Sequence, residues 1–323
     1  MFGIWLFANS AAYGMYRVLC RMGLSVSYTT VLCSLRILSK HSTRDVYDIA
    51  NTSNFIVVYD NINRTRYMYS TESPDRSKLL SGTASTLYLI EDGDLAAVNP
   101  AVVRSARQSR SREGMTPQYL LEAATKHEEQ LINLMALHVL SFLLQSDASF
   151  NQHQPLLRTK LEAAKVECMR QGRRTVVHPL STTDDDEGTV TGNRDVLDDI
   201  FLRQLNLDKN VIEEHVYLVG GDLATIERIR KLQSLLLDCP HGYARYDWVL
   251  PLVQLWHMGW ADLARIIATH WGKDNREGFT LQAMNVSLGR NVKKVLRPDY
   301  YPAQKLVFDT LYGEVIDCFR CVV

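Results

Sequence analysis

A chain of 323 residues, 46% of them hydrophobic, is long enough to bury a substantial core as one large or two ordinary domains, which excludes a disordered or fibrous protein. Lys plus Arg and Asp plus Glu both total 36, so no net charge draws the molecule onto nucleic acid or membrane, and any nucleic-acid binding has to come from local patches. The six scattered cysteines suit free thiols better than a disulfide framework, and the lone CxxC of Cys318 and Cys321 lacks the second pair that a four-ligand zinc site needs.

The apolar opening MFGIWLFANSAAYGMYRVLC has no basic leader and runs into Arg17 and Arg21, so it reads as an amphipathic or core helix and not as a signal peptide. No stretch supplies the roughly 20 uninterrupted apolar residues of a membrane span. The expectation is a soluble intracellular protein, of nucleus or cytoplasm, without a membrane partner. Residues 4–22 and 28–40 are predicted helices, separated by a turn at 23–27, with Ser27 or Thr29 as N-cap. NFIVVYDNIN then reads as a buried strand closed by Asp60 and a polar loop.

STLYLI at 85–90 is a second strand, and VRSARQSRSREG at 103–114 a mobile loop whose basic side chains can touch phosphate. Helical spacing predicts one long helix over 117–145 and another over 156–171. TTDDDEGTVTGN at 182–193 is expected to be solvated and poorly ordered. EHVYLVGGD repeats the pattern of an apolar strand ending in an aspartate, Asp222, and TIERIRKLQSLLL continues as a helix. WVLPLVQLW at 248–256 is a buried strand or turn leading into a helix from His257 to about His270, and 302–319 is an amphipathic helix. No internal repeat is present, which excludes solenoids and propellers.

Carboxylates at the carboxyl ends of buried strands sit where open α/β sheets bind ligands. If the strands of Asp60 and Asp222 are neighbours, their carboxylates converge, and a hard cation such as Mg²⁺ takes one or two such groups together with phosphate oxygens. The competing roles are a turn-forming Asp60 and an Asp222 that caps the following helix. Gly220 and Gly221 complete neither GxxxxGK[ST] nor GxGxxG, and no GxSxG, HExxH or kinase set occurs.

IVVYDNINRTR, LVGGDLATIERIR and VLPLVQLWHMGWADLARIIATHWG resemble the three recurring blocks of a domain family of unknown function abundant in mushroom-forming fungi, and GLSVSYTTVLCSL and RPDYYP extend the resemblance. That family looks transposon-derived. Its paired aspartates resemble those of ribonuclease-H-like transposases, where two strand-end aspartates and a distant glutamate bind two metals. The resemblance implies catalytic and metal-ligating roles for Asp60 and Asp222, Mg²⁺ or Mn²⁺ as cofactor, and DNA as partner. It also implies that His257 orients substrate or a metal-bound water, against the alternative of a core histidine beside Trp256 and Trp260. His270 with Trp271 reads as helix-end packing. Arg64, Arg66, Arg228 and Arg230 flank the aspartates and suit phosphate, or are ordinary solvated side chains.

Two departures stand against the transposase pattern. The aspartates are 162 residues apart (222 − 60), which requires an inserted layer, and no third acid stands in a recognisable motif, the candidates being Asp262, Asp274, Glu277 and Glu314. The expected fold is α/β: a ribonuclease-H-like mixed sheet with a helical lead-in (1–50), a core (51–272) carrying a large helical insertion at about 115–180, and a helical tail (273–323), for which truncation is one reading. The function expected is a DNA strand transferase or nuclease domain, weak or inactive for want of the third acid. A non-enzymatic nucleic-acid-binding or interaction module is the alternative.

Overall fold

The structure is a computed structural model and describes residues 1–52, 54–67, 77–91, 99–108, 114–164, 172–274 and 278–322. In chain order the elements are helices α1 (Phe2–Ala8), α2 (Tyr13–Arg21) and α3 (Tyr28–Thr52), strands β1 (Phe55–Tyr67) and β2 (Ser77–Leu89), helices α4 (Pro100–Gln108), α5 (Pro117–Thr125), α6 (Glu128–Ser146) and α7 (Gln154–Ala164), strand β3 (Val177–Pro179), helices α8 (Val190–Asp198) and α9 (Lys209–Glu214), strand β4 (Tyr217–Gly221), helix α10 (Leu223–Leu235), strand β5 (Val249–Val253), and helices α11 (Leu255–His270), α12 (Leu281–Ser287) and α13 (Tyr300–Val322). They form two compact units, residues 1–105 with 175–253 and residues 106–174 with 254–323.

The first unit is built on one mixed five-stranded sheet of order β3-β2-β1-β4-β5. β1 pairs antiparallel with β2, and β2 with β3, while β1–β4 and β4–β5 are parallel, so β2 alone runs against the rest. Period-2 alternation in β1 buries Phe55, Val57 and Tyr59 against Leu197, Ile200, Phe201, Ile226 and Ile229. Asp60 does not end this strand as expected. β1 leaves β4 after Val58 and runs on to Tyr67 paired with β2.

Before the sheet, Leu6, Tyr16 and Val31 form a small separate core. The helix expected over 4–22 is interrupted because the Asn9 side chain donates to the Trp5 carbonyl and Ser10 takes a positive φ of 54°. α3 runs well past residue 40, since Val46 and Ala50 continue its apolar stripe onto the sheet. The segment 103–114 is not a loop throughout: α4 extends to Gln108, and Arg104 donates to the Glu213 carbonyl at 2.6 Å. Residues 109–113 of that segment lie outside the described residues.

The 182–193 segment is also ordered, contrary to expectation. Thr83 and Thr183 exchange two backbone hydrogen bonds (2.9 and 3.0 Å), and the Thr83 hydroxyl donates to the Asp185 carbonyl at 2.7 Å. The acidic and hydroxyl side chains that suggested solvation instead close the segment on itself, Asp186 accepting from the Gly188 amide and Thr189 capping α8.

The second unit is helical, with a core of Leu263, Ile267, Leu281, Val292, Ala303 and Leu306 on α11, α12, α13 and the segment before α13. The single helix expected over 117–145 is two helices, α5 and α6, and the described part of α7 ends at Ala164; 165–171 lie outside the described residues. Among the described residues no helix is long and apolar enough to cross a membrane, and the cysteines are free.

At Gly192 a Cβ would stand 1.8 Å from the Asp186 carbonyl oxygen. Gly192→Ala is therefore expected to open the 186–192 turn and destabilise the first unit by about 2–3 kcal/mol. Urea unfolding checks this, and an unchanged midpoint would show that the turn gives way without cost.

Candidate functional site

The parallel register of β1 and β4 runs Ile56↔Leu218, Val57↔Val219, Val58↔Gly220. The pairing ends there, so Asp60 and Asp222 each follow the last residue of their strand in this pairing by two positions. Asp222 is the first residue after β4 and also the N-cap of α10, its Oδ1 accepting from the Thr225 amide at 2.7 Å. The capping role and the strand-end position thus hold together. Asp60 Oδ1 accepts from the Asn61 amide at 2.8 Å. Gly221 is needed here, because a Cβ would meet the Thr225 Cγ2 at 2.8 Å and push α10 off the strand.

A third carboxylate joins them from the segment expected to be solvated. Glu187 is only 3% exposed, and its Oε2 accepts from the Thr225 hydroxyl at 3.2 Å. The same Thr225 thus ties Glu187 to Asp222. Behind it, the Tyr59 hydroxyl donates to Asn193 Oδ1 at 2.8 Å, and Asn193 Nδ2 donates to the carbonyls of Glu187 and Thr189. Burial, and then the negative charge of Asp60, push the Glu187 carboxyl up to about 7; Asp222 adds to the rise, while the Thr225 hydrogen bond and the Arg228 guanidinium oppose it. Burial holds the Tyr59 phenol well above its usual range, with Glu187 adding to the effect. Charge has accumulated in one place, and Arg228 offsets part of it.

Of the residues singled out in the sequence, Asp60, Asp222 and Arg228 each lie within electrostatic reach of Glu187. Arg230 is exposed on α10. Arg64 and Arg66 are strand residues opposite Leu80 and Lys78, not loop residues. His257 belongs to the second unit, half-buried with its ring 4.9 Å from that of Trp256. Asp262 pairs with Arg265 on α11, Glu314 lies on α13, Asp274 follows α11, and Glu277 is outside the described residues. Glu187 was missed because its neighbours Asp184, Asp185 and Asp186 gave the segment the composition of a solvated loop. The available signal was glycine at 188 and 192 around a Thr189 cap, which marks a closed turn entering a helix.

The fold is mixed α/β, with Glu187 buried within electrostatic reach of Asp60 and Asp222. The chain belongs to the family of unknown function DUF6589, whose model matches residues 110–323. That span contains Glu187, Asp222, Arg228 and His257, whereas Asp60, Arg64 and Arg66 precede it. No curated protein and no solved structure matches the chain.

The fold favours protonated Glu187. Its stabilising contribution is full below the ordinary glutamate value near 4.5 and is lost as pH rises through about 7. Glu187→Gln, which cannot ionise, is expected to flatten that decline and to exceed the wild type by about 2–3 kcal/mol at alkaline pH in EDTA. Parallel stability–pH curves for the two proteins would show that Glu187 titrates as an ordinary exposed glutamate.

Proposed function

We propose that the protein is a transposon-derived, ribonuclease-H-like domain for metal-assisted phosphoryl transfer on DNA, acting as a strand transferase or nuclease, with Mg²⁺ or Mn²⁺ held by Asp60 and Asp222. The observation that supports this reading is the buried Glu187 carboxyl, whose electrostatic surroundings include both Asp60 and Asp222. A mixed sheet of order β3-β2-β1-β4-β5 in which only β2 is reversed agrees with what the ribonuclease-H-like resemblance implies.

The donor set suits a hard cation, being all oxygen, and the crowded negative charge around Glu187 is what a divalent ion relieves. Among the described residues no three His, Cys, Asp or Glu side chains are arranged to hold a metal by themselves. The ion would therefore rest on the two aspartates and on phosphate oxygens of the substrate, the usual manner of Mg²⁺. Bound there, it would supply polarisation of a phosphoryl oxygen and activation of water. Glu187 holds or releases a proton near neutrality beside this point, as a general base must. Arg228 supplies positive charge within reach of Glu187.

One observation favours the second reading, a non-enzymatic nucleic-acid-binding module: the Asp222 carboxylate is already engaged in capping α10. Thermal melting separates the two. With a site on Asp60 and Asp222, the Tm rises with Mg²⁺ or Mn²⁺, by the equivalent of about 2.7 kcal/mol at one hundred times the Kd, and Asp60→Ala or Asp222→Ala abolishes the rise. Metal-dependent cleavage of DNA that disappears in both variants and in Glu187→Gln is the expected activity. A melting curve indifferent to metal sinks the catalytic reading and leaves the binding module.

A further inference from the structure

The first acidic residue of the chain is Asp45, and the 44 residues before it carry Arg17, Arg21, Arg36, Lys40 and Arg44. In a chain of balanced charge, this concentrates positive potential on α1–α3, the electrostatic footprint of a polyanion-binding element. Between α2 and the first turn of α3 lies a pocket of about 200 Å³ whose wall includes Tyr16, Arg17, Arg21, Ser27, Tyr28 and Thr29. Ser27 caps α3, its hydroxyl accepting from the Thr30 amide at 3.1 Å and its carbonyl from Val31 at 3.0 Å. The Tyr28 and Thr29 amides stand in the first turn, where no intrahelical acceptor exists. α3 is 25 residues long and has no acidic residue in that turn, so no side-chain charge offsets the positive end of its dipole.

A second, independent observation comes from Tyr16. It is 1% exposed, and its hydroxyl has no hydrogen-bond partner, although buried polar groups nearly always have one. The ring stands edge-on against Tyr28 at 5.1 Å, and Tyr16 is one of the residues lining the pocket. An unmet O–H donor, helix-terminal N–H groups and two guanidinium side chains all call for one chemistry, an anionic oxygen cluster. The connection from α2 to α3 turns at Gly23 (φ 70°), and a helix pair with a glycine-containing turn can present the first turn of its second helix to duplex DNA.

We propose that this pocket seats a backbone phosphate of duplex DNA, the Tyr16 hydroxyl and the first-turn amides of α3 donating to its oxygens and Arg17 and Arg21 balancing its charge. The inference deepens the nucleic-acid reading above and rests on it for the identity of the ligand, but it uses no residue of the carboxylate cluster. The test is fluorescence anisotropy of a duplex of about 20 base pairs with the full chain in EDTA across a salt series, with inorganic phosphate titrated separately. Wild type is expected to bind with an affinity that falls as salt rises. Arg17→Ala/Arg21→Ala should weaken binding about tenfold or more and make the log–log salt slope shallower by about one. Tyr16→Phe, which keeps the ring and its packing, should weaken binding at an unchanged Tm. Because binding is read in EDTA, failure of the metal site leaves this result standing. Wild-type duplex affinity in both pocket variants overturns the proposal, and so does binding of inorganic phosphate without measurable binding of duplex.

Discussion

The position of the acidic cluster depends on the side chain of Asn193, which is fully buried and has every hydrogen-bonding group engaged. Its carbonyl oxygen accepts from Tyr59, and its amide nitrogen donates to the carbonyls of Glu187 and Thr189. In a site closed to water, a donor or acceptor left unpaired costs about 1–3 kcal/mol, so the three bonds act as one constraint. They fix the start of α8 against the central strand. With its backbone held there and its side chain buried, the Glu187 carboxyl lies within reach of the charges of Asp60 and Asp222. Thr225 completes the constraint by joining the Glu187 carboxylate to the cap of α10.

The β5 edge of the sheet is set by a second polar point within the same apolar core. Asp198 Oδ1 accepts from the hydroxyls of Tyr243 (2.7 Å) and Tyr246 (2.8 Å), whose rings pack with Trp248 immediately before β5. Burial raises both phenols far above their usual range, so they remain donors at any ordinary pH. Tyr246 takes a positive φ of 57°, a conformation that a bulky residue holds only when its surroundings over-determine it. Asp198 supplies that constraint, and β5 enters the sheet beside β4 in a single register. Stability and site geometry therefore meet at α8, whose start carries Asn193 and whose end carries Asp198.

The sequence made the strands of Asp60 and Asp222 readable because both are runs of apolar, β-branched residues, and it made their adjacency a fair inference because two such runs with polar ends suit one sheet. It did not reveal the length of β1, since NINRTRY has the composition of a loop and becomes a strand only through pairing with β2. The split of the first apolar segment into α1 and α2 turned on one side-chain-to-backbone bond at Asn9, which periodicity does not register. Glu187 was hidden for a related reason: composition measures how polar a segment is, not whether its polar groups find partners inside the fold. Thr83 on a distant strand supplied those partners, and no local pattern announces a pairing of that span.

The same long-range dependence bears on how the family span relates to a folding unit. The matched residues 110–323 include β3, β4 and β5 but not β1 or β2. Yet β4 pairs with β1 on one side, and β3 joins the sheet only through β2. Taken alone, the matched span would leave one edge of β4 unpaired and β3 without a neighbour, and exposed strand edges are prone to association. It would also deprive Asn193 of its Tyr59 donor and Glu187 of the charge of Asp60. The hydrogen-bond network and the acidic site are therefore properties of the sheet as assembled from both sides of residue 110, and any other chain that shares the matched span needs a strand equivalent to β1 to form them.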